Sequence, residues 1–183
     1  MKNISLDIKV EKPFGNLFRE KTALLVVETV EGDFLIGAKP YQYPPTITRL
    51  LGGGVDEGES ENDAATREIR EELGVTLNSS ELTPMLIVSV SAEDAERKHY
   101  MHEIYIYYAN IGNDQYEPGD DIKAIVKLNL DELYALGEAY EALPETLWYN
   151  GPEGLYSWND YGKLYGPVHK LASEAVRKLK SSQ

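Results

Sequence analysis

The chain of 183 residues contains no cysteine, few basic residues relative to acidic ones, and no apolar run long enough to span a membrane. The lack of cysteine excludes disulfides, zinc–thiolate sites and cysteine nucleophiles. The formal net charge of -13 argues against a nucleic-acid polymer as a partner, because a phosphate backbone is bound by basic surfaces. A small phosphorylated ligand stays compatible with this charge, since a bound divalent metal can reverse the local field.

The N-terminal residues alternate charged and apolar side chains and contain no continuous apolar segment, so they predict no secretory signal. Together with the lack of a membrane-spanning run, this predicts a soluble cytoplasmic protein without a membrane partner. The length predicts a single domain over residues 1–183, large enough to bury a core without covalent cross-links.

Hydrophobic periodicity predicts a chain that mixes strands and helices. Helices are expected over Glu61–Leu73, over residues 130–143, and along a C-terminal stripe of residues 164, 168, 171, 175 and 179. The segment 144–162 is rich in turn residues and aromatics, which either pack over the domain or line a pocket. Strands are expected at residues 4–10, 22–30, 34–38, 46–51, 85–90, 103–109 and 122–128.

The first helix carries the clearest local signals. Ser60 is suited to the N-cap, with Asp63 three residues later, and Gly74 stands where a left-handed C-terminal residue is expected. Its packing stripe, spaced by four residues, consists of Ala65, Ile69 and Leu73.

Three carboxylates, Glu68, Glu71 and Glu72, cluster on a neighbouring face of this helix, because residues three and four apart lie side by side. One interpretation is a solvated helix face. The other is a site for a hard divalent cation, which prefers oxygen ligands, and magnesium is favoured over zinc because neither Cys nor paired His accompanies them.

The glycines Gly52, Gly53 and Gly54 precede this helix, and residues without a Cβ allow a tight turn and a close approach to a ligand. A metal held beside such a loop can polarise a phosphoryl oxygen and activate water. The stretch therefore favours phosphoanhydride hydrolysis.

Residues 53–75 follow the pattern G-x5-E-x7-R-E-U-x-E-E-x-G-U, where U is aliphatic, and this pattern resembles the Nudix box at every defining position. The resemblance implies an α/β (α+β) fold, an α/β/α sandwich with a mixed β-sheet, with its core over about residues 21–136. The N-terminal strand and residues 144–183, the aromatic-rich segment and C-terminal helix, lie outside the matched region. The residues that carry the pattern are Gly53, Glu59, Arg67, Glu68, Ile69, Glu71, Glu72, Gly74 and Val75.

The resemblance implies that Glu68, Glu71 and Glu72, with the Gly52 carbonyl, bind Mg²⁺ or Mn²⁺. It further implies that Glu59 supports Arg67, which holds the glycine loop against the helix. The catalytic base differs between subfamilies and stays open. Its candidates are Glu68, Glu103 and a glutamate of the 93–96 loop.

Substrate contacts are expected from Gly53 and Gly54, and from Tyr41 and Tyr43 if these stack on a nucleobase rather than pack a proline-rich loop. Glu103 has the alternative of being a plain residue at the start of an edge strand. The three histidines receive no role.

The resemblance implies a Mg²⁺-dependent hydrolase of the diphosphate linkage in a nucleoside diphosphate derivative, either of the nucleotide-sugar or ADP-ribose type or a (d)NTP. The alternative is a non-catalytic module that binds or senses a nucleotide. By analogy with the family, a homodimer that uses the N-terminal strand is a further expectation.

Overall fold

A computed structural model describes residues 1–38, 44, 47–119, 122–152 and 154–182. In this part of the chain it contains nine strands and three α-helices. The strands are β1 (Lys2–Lys9), β2 (Lys21–Glu28), β3 (Phe34–Ala38), β4 (Leu51–Gly54), β5 (Thr83–Glu93), β6 (His99–Asn110), β7 (Ala124–Leu128), β8 (Trp148–Gly151) and β9 (Gly154–Ser157). The helices are α1 (Glu61–Leu73), α2 (Leu130–Glu141) and α3 (Trp158–Ser181).

Seven strands form one mixed sheet in the order β1-β5-β6-β2-β3-β7, and β4 pairs with β2 beside that path. The pairs β1–β5 and β2–β6 are parallel, and the other pairs are antiparallel. The strands β8 and β9 form a separate two-stranded hairpin.

Alternating side chains of β2 enter two different cores, because successive residues of a strand point to opposite faces. Leu24 and Val26 pack in the larger core with α2 and α3. Ala23, Leu25 and Val27 pack in the smaller core with α1. The sheet therefore lies between α1 and the α2–α3 pair, and the predicted α/β/α sandwich with a mixed sheet is confirmed.

Helix α1 begins and ends as its sequence predicts. The Ser60 hydroxyl accepts a hydrogen bond from the Asp63 amide at 3.1 Å, and Gly74 adopts the left-handed conformation with φ 70°. Ala65, Ile69 and Leu73 are fully buried in the smaller core. One stripe thus fixes which helix face points toward the sheet.

The prediction of a strand over residues 46–51, ending before the glycines, is wrong. Ile47 and Thr48 belong to no strand, Arg49 forms only an isolated bridge with Gly37, and residue 46 lies outside the described residues. The strand β4 contains the glycines, and it pairs with β2 from Leu51 onward. Gly52 to Gly54 are therefore ladder residues rather than a turn.

The hairpin of β5 and β6 is longer than the predicted strands 85–90 and 103–109, and only residues 94–98 lie between its strands. Asp94 organises the short turn, since its carboxylate accepts bonds from the Glu96 and Lys98 amides, both at 2.9 Å. Glu103 consequently lies inside β6, between β5 and β2. Its expected position at the start of an edge strand is wrong.

The aromatic segment forms the β8–β9 hairpin and the first turns of α3, which begins earlier than its apolar stripe suggested. Most of its rings pack into the larger core, whereas Trp148 is 41% exposed. The buried rings are Tyr149, Tyr156, Trp158 and Tyr161.

The buried stripe of α3 also differs from the predicted one. Ala172 and Val176 are buried, whereas the predicted Leu171, Ala175 and Leu179 lie at its border. The reason is that α3 packs against both the sheet and α2. Its contact with α2 is close, since a Cβ on Gly162 would stand 2.1 Å from the Tyr140 carbonyl oxygen. Among the described residues, no helix combines the length and apolarity that a membrane span requires.

Candidate active site

The strand β4 and the helix α1 meet at Gly52 and Glu72. The Gly52 amide donates a hydrogen bond to Oε2 of Glu72 at 2.7 Å, and Glu72 is only 2% exposed. This buried hydrogen bond joins the glycine strand to the carboxylate helix.

Two of the glycines are required by sterics. Gly52 has φ +119°, and a Cβ there would stand 2.1 Å from the Ala23 carbonyl oxygen. A Cβ on Gly53 would stand 2.4 Å from Oε1 of Glu68. The close backbone approach expected from these residues therefore serves the helix carboxylate and the neighbouring strand.

Arg67 connects three carboxylates of the box and the Gly54 carbonyl through five hydrogen bonds. Its Nε and Nη2 donate to the Glu59 carboxylate at 2.9 and 3.0 Å. Its Nη1 donates to Glu68 Oε1 at 2.7 Å and to Glu71 Oε2 at 3.1 Å. Its Nη2 also donates to the Gly54 carbonyl at 2.9 Å. The planar fork of a guanidinium makes this pattern possible, and an ammonium would not reproduce it.

These contacts shift the pKa values in opposite directions. The hydrogen bond from Arg67 lowers the pKa of Glu59 below its usual value, and the paired carboxylates raise the pKa of Arg67 still further. Burial raises the pKa of Glu68, with repulsion from Glu72 and Glu71 adding to it, although Arg67 opposes the shift. Burial thus disfavours the charged form of Glu68 relative to a carboxylate in water.

The donor set suits a hard divalent cation, because it offers three carboxylates and a backbone carbonyl. In the described part of the chain, however, no three acidic or histidine side chains converge closely enough to hold a metal ion. Glu68 and Glu71 both accept from Arg67, while Glu72 accepts from the Gly52 amide. The residues fit such an ion by chemistry, and in this structure two of the three carboxylates are hydrogen-bonded to Arg67 instead.

Glu103 lies apart from this network. The register pairs it with Lys21 on β2, and β2 separates β6 from β4. Its carboxylate accepts from the Tyr105 hydroxyl at 2.9 Å, and Lys21 bonds to Glu61 at the start of α1. The structure therefore does not join Glu103 to Arg67 and its carboxylates.

Two further predictions have different outcomes. The glutamates of the 93–96 segment lie at the tip of the β5–β6 hairpin and have no described contact with Arg67 or Glu72. Tyr41 and Tyr43, the candidate nucleobase platforms, lie outside the described residues.

Several residues at the site carried no recognisable motif. Arg49 Nη2 donates to the Gly52 carbonyl at 3.2 Å, and the fully buried His169 accepts from the Leu50 amide at 3.2 Å. The Gly119 amide donates to the Glu72 carbonyl at 2.9 Å and so caps α1. The only sequence signal for His169 is its spacing of four from Tyr165 and eight from Tyr161 on one helix face.

Comparison with known proteins identifies relatives of this chain. The chain is 43% identical over 63 residues to the nucleoside triphosphatase NudI of Escherichia coli, a match that covers 32% of this chain and 42% of that relative. The same identity and coverage hold for NudI of Shigella sonnei. The match therefore spans less than half the length of these relatives.

Solved structures share the fold at low sequence identity. A MutT/nudix family protein from Enterococcus faecalis has a TM-score of 0.54 at 18% identity, covering 87% of this chain and 62% of that one. A C. elegans Ap4A hydrolase has a TM-score of 0.53 at 18% identity, covering 87% and 98%. The model of the NUDIX domain matches residues 17–147, which is well over half of the chain. This protein therefore belongs to the NUDIX domain family.

Proposed function

We propose that this protein hydrolyses a phosphoanhydride bond of a nucleoside diphosphate derivative in the presence of Mg²⁺ or Mn²⁺. The observation that carries the proposal is the Arg67 network, which gathers Glu59, Glu68, Glu71 and the Gly54 carbonyl at one point. Carboxylates concentrated in this way are suited to binding a divalent metal cation, because the cation relieves the repulsion between their negative charges.

In this proposal Glu68, Glu71 and Glu72 hold the ion with the Gly52 carbonyl. That carbonyl also accepts from Arg49, and a carbonyl oxygen has a lone pair for each. When bound, such an ion polarises a phosphoryl oxygen and lowers the pKa of water. Arg67 takes a second role, because it keeps its bonds to Glu59 and Gly54 and so fixes the glycine strand relative to α1 while its carboxylate partners change.

Glu68 is the proposed base. Its carboxylate occupies the space that Gly53 leaves open and so lies directly against the glycine strand. Glu103 is disfavoured for this role because it stands on β6, with β2 between it and the glycine strand.

The proposed substrate class is based on the chemical unit shared by the molecules that the names of the relatives mention. The names of similar proteins refer to nucleoside triphosphates and Ap4A, and the NUDIX domain of Shewanella oneidensis NrtR was crystallised with ADP ribose. Each of these molecules joins a nucleoside to a phosphoanhydride. We therefore propose this shared unit as the substrate feature, with nucleoside triphosphates as the first compounds to test.

The test is a panel of nucleoside triphosphates, dinucleoside polyphosphates and nucleoside diphosphate sugars, assayed with Mg²⁺ for release of phosphate, pyrophosphate or nucleoside monophosphate. Turnover by the wild type that is lost with EDTA and with Glu68→Gln, purified in parallel, is the expected result. A nucleotide bound equally well with EDTA, without turnover of any panel member, would instead establish a non-catalytic binding module.

A further inference from the structure

Residues 48–52, here called the approach segment, lead into the glycines of β4 and are held from the α2–α3 face of the sheet. The Tyr140 hydroxyl donates to the Thr48 carbonyl at 2.8 Å. Arg49 exchanges two backbone bonds with Gly37, at 2.9 and 3.0 Å. The segment is therefore anchored before the chain reaches the residues that face Glu72.

The Leu50 amide has an unusual acceptor for a buried backbone group. Leu50 is 1% exposed, and its amide donates to Nε2 of His169, which lies in the middle of α3 and is fully buried. Buried backbone amides are almost always paired, and here a side chain from a distant helix supplies the acceptor that a neighbouring strand would otherwise provide.

The surroundings of His169 fix its tautomer. Its Nδ1 lies 2.6 Å from the Tyr165 carbonyl, which can only accept, so Nδ1 carries the hydrogen and Nε2 presents a lone pair to Leu50. The imidazole also stacks on Tyr140, with ring centroids 4.8 Å apart. Burial lowers the pKa of His169 to about 4, so the ring is neutral at pH 7 and can serve as this acceptor.

We propose that His169 is a positioning residue, which fixes the Leu50 amide and thereby the Gly52 backbone at the candidate active site. Only one residue separates Leu50 from Gly52, whose amide bonds Glu72 and whose carbonyl accepts from Arg49. Arg49 is itself oriented from the same helix, since its Nη1 lies 3.5 Å from the Tyr161 hydroxyl. The C-terminal helix, all of which lies beyond the matched residues 17–147, thus supports the backbone that the box uses. The catalytic consequence rests on the proposed function, whereas the effect on the backbone does not.

Three variants of the full chain test this role. His169→Leu removes the acceptor, and His169→Gln retains one near the position of Nε2. Val176→Ala is the matched control, because Val176 is a fully buried residue two turns further along α3 and has no hydrogen bond to the approach segment through its side chain.

Amide hydrogen exchange is measured first, without nucleotide or metal. We expect exchange at Leu50 and Gly52 to be at least tenfold faster in His169→Leu than in wild type, and largely restored in His169→Gln. Val176→Ala should lower the Tm without a selective change at these two amides. Unchanged exchange at Gly52 in His169→Leu, or the same acceleration in Val176→Ala, would overturn the proposal.

Steady-state kinetics follow on the nucleotide that the substrate panel identifies. We expect kcat of His169→Leu to fall about tenfold with KM within twofold, recovery in His169→Gln, and an unchanged kcat per folded molecule in Val176→Ala. A loss of kcat in Val176→Ala equal to that in His169→Leu would reduce His169 to a general structural role. If wild type hydrolyses nothing, the exchange result alone still decides whether His169 positions Gly52, so failure of the proposed function is distinguishable.

Discussion

The glycine strand is held from two sides by different chemistry. On the α1 side, Arg67 makes ionic hydrogen bonds while 22% of its side chain is exposed, and its partner Glu71 is 42% exposed. On the α3 side, His169 makes neutral hydrogen bonds and is fully buried. Exposed ion pairs contribute roughly 0.2–1 kcal/mol and exchange partners readily, whereas an orphaned buried amide costs about 1–3 kcal/mol.

This difference assigns separate roles to the two sides. Glu71 can exchange Arg67 for water at little cost because its side chain is 42% exposed, whereas the buried Glu68 depends on Arg67 to stabilise its charge. The approach segment cannot leave His169 without exposing or orphaning the Leu50 amide. The α1 side is therefore adjustable at Glu71, and the α3 side is a fixed support.

The strongest way to break the adjustable side is Glu72→Gln. The amide oxygen of glutamine can still accept from the Gly52 amide, so the fold should persist, while the negative charge proposed for the ion is lost. We expect kcat to fall about a thousandfold, equivalent to about 4 kcal/mol of transition-state stabilisation, with a Tm within a few degrees of wild type. Glu141→Gln, at a pair with Lys170 away from the site, is the control and should retain full activity. Near-normal turnover by Glu72→Gln would refute the ligand role.

The junction between the two sides is broken by Gly52→Ala. Its φ of +119° is unfavourable for an L-residue, and its Cβ would overlap the Ala23 carbonyl. Strain and overlap together should lower the free energy of unfolding by about 3 kcal/mol or more, measured by urea denaturation.

Alanine substitutions at two other glycines, Gly58 and Gly15, separate the backbone strain from the steric overlap that Gly52→Ala introduces. Gly58 has φ +81° with open space around it, so Gly58→Ala carries the backbone strain alone and should cost about 1 kcal/mol. Gly15 has neither a left-handed φ nor a close neighbour, and Gly15→Ala should change stability by no more than about 0.5 kcal/mol. Equal losses at all three positions would contradict the steric requirement at Gly52.

The fixed side is tested by pH. Burial lowers the pKa of His169 from 6.5 to about 4, so between these values the unfolded chain binds more protons than the folded one. Its contribution to stability is fully present above pH 6.5 and is lost as the pH falls toward 4. The shift of about 2.5 pH units corresponds to roughly 3 kcal/mol.

This contribution is measured as the difference between wild type and His169→Gln in the free energy of unfolding from pH 7.5 to 4. Wild type should lose more stability than the variant across this window, because glutamine does not titrate. Parallel pH profiles for the two proteins would show that His169 titrates as in water, and would weaken the idea of a buried, neutral support.

Local signals predicted the parts of the fold that depend on neighbours in the chain. The cap at Ser60, the left-handed Gly74 and the stripe through Ile69 predicted α1 correctly, because capping and side-chain spacing act within a few residues. The extent of β5 and β6 was underestimated, since polar residues can extend a hairpin when a partner strand supplies the hydrogen bonds. The β8–β9 hairpin was missed because aromatic and turn residues alone do not specify a pairing.

In the candidate site, too, local signals predicted some features and failed for others. The spacing of Glu68, Glu71 and Glu72 placed them together on α1, and the structure adds that two of them contact Arg67. The roles of these residues and the identity of the ion are still predictions. Glu103 was misplaced because its position depends on the parallel register with Lys21, which no local pattern encodes.

The sequence by itself determined the family pattern and the carboxylate helix, because residue spacing and capping are short-range properties. The sandwich architecture was implied by the family resemblance that this pattern carries. Only the tertiary structure decided that Gly52 to Gly54 form a strand, that Gly53 accommodates Glu68, and that His169 accepts from Leu50. Leu50 and His169 are 119 residues apart in the chain. A contact over such a distance depends on how α3 packs on the sheet, and the stretch at residues 53–75 contains no record of it.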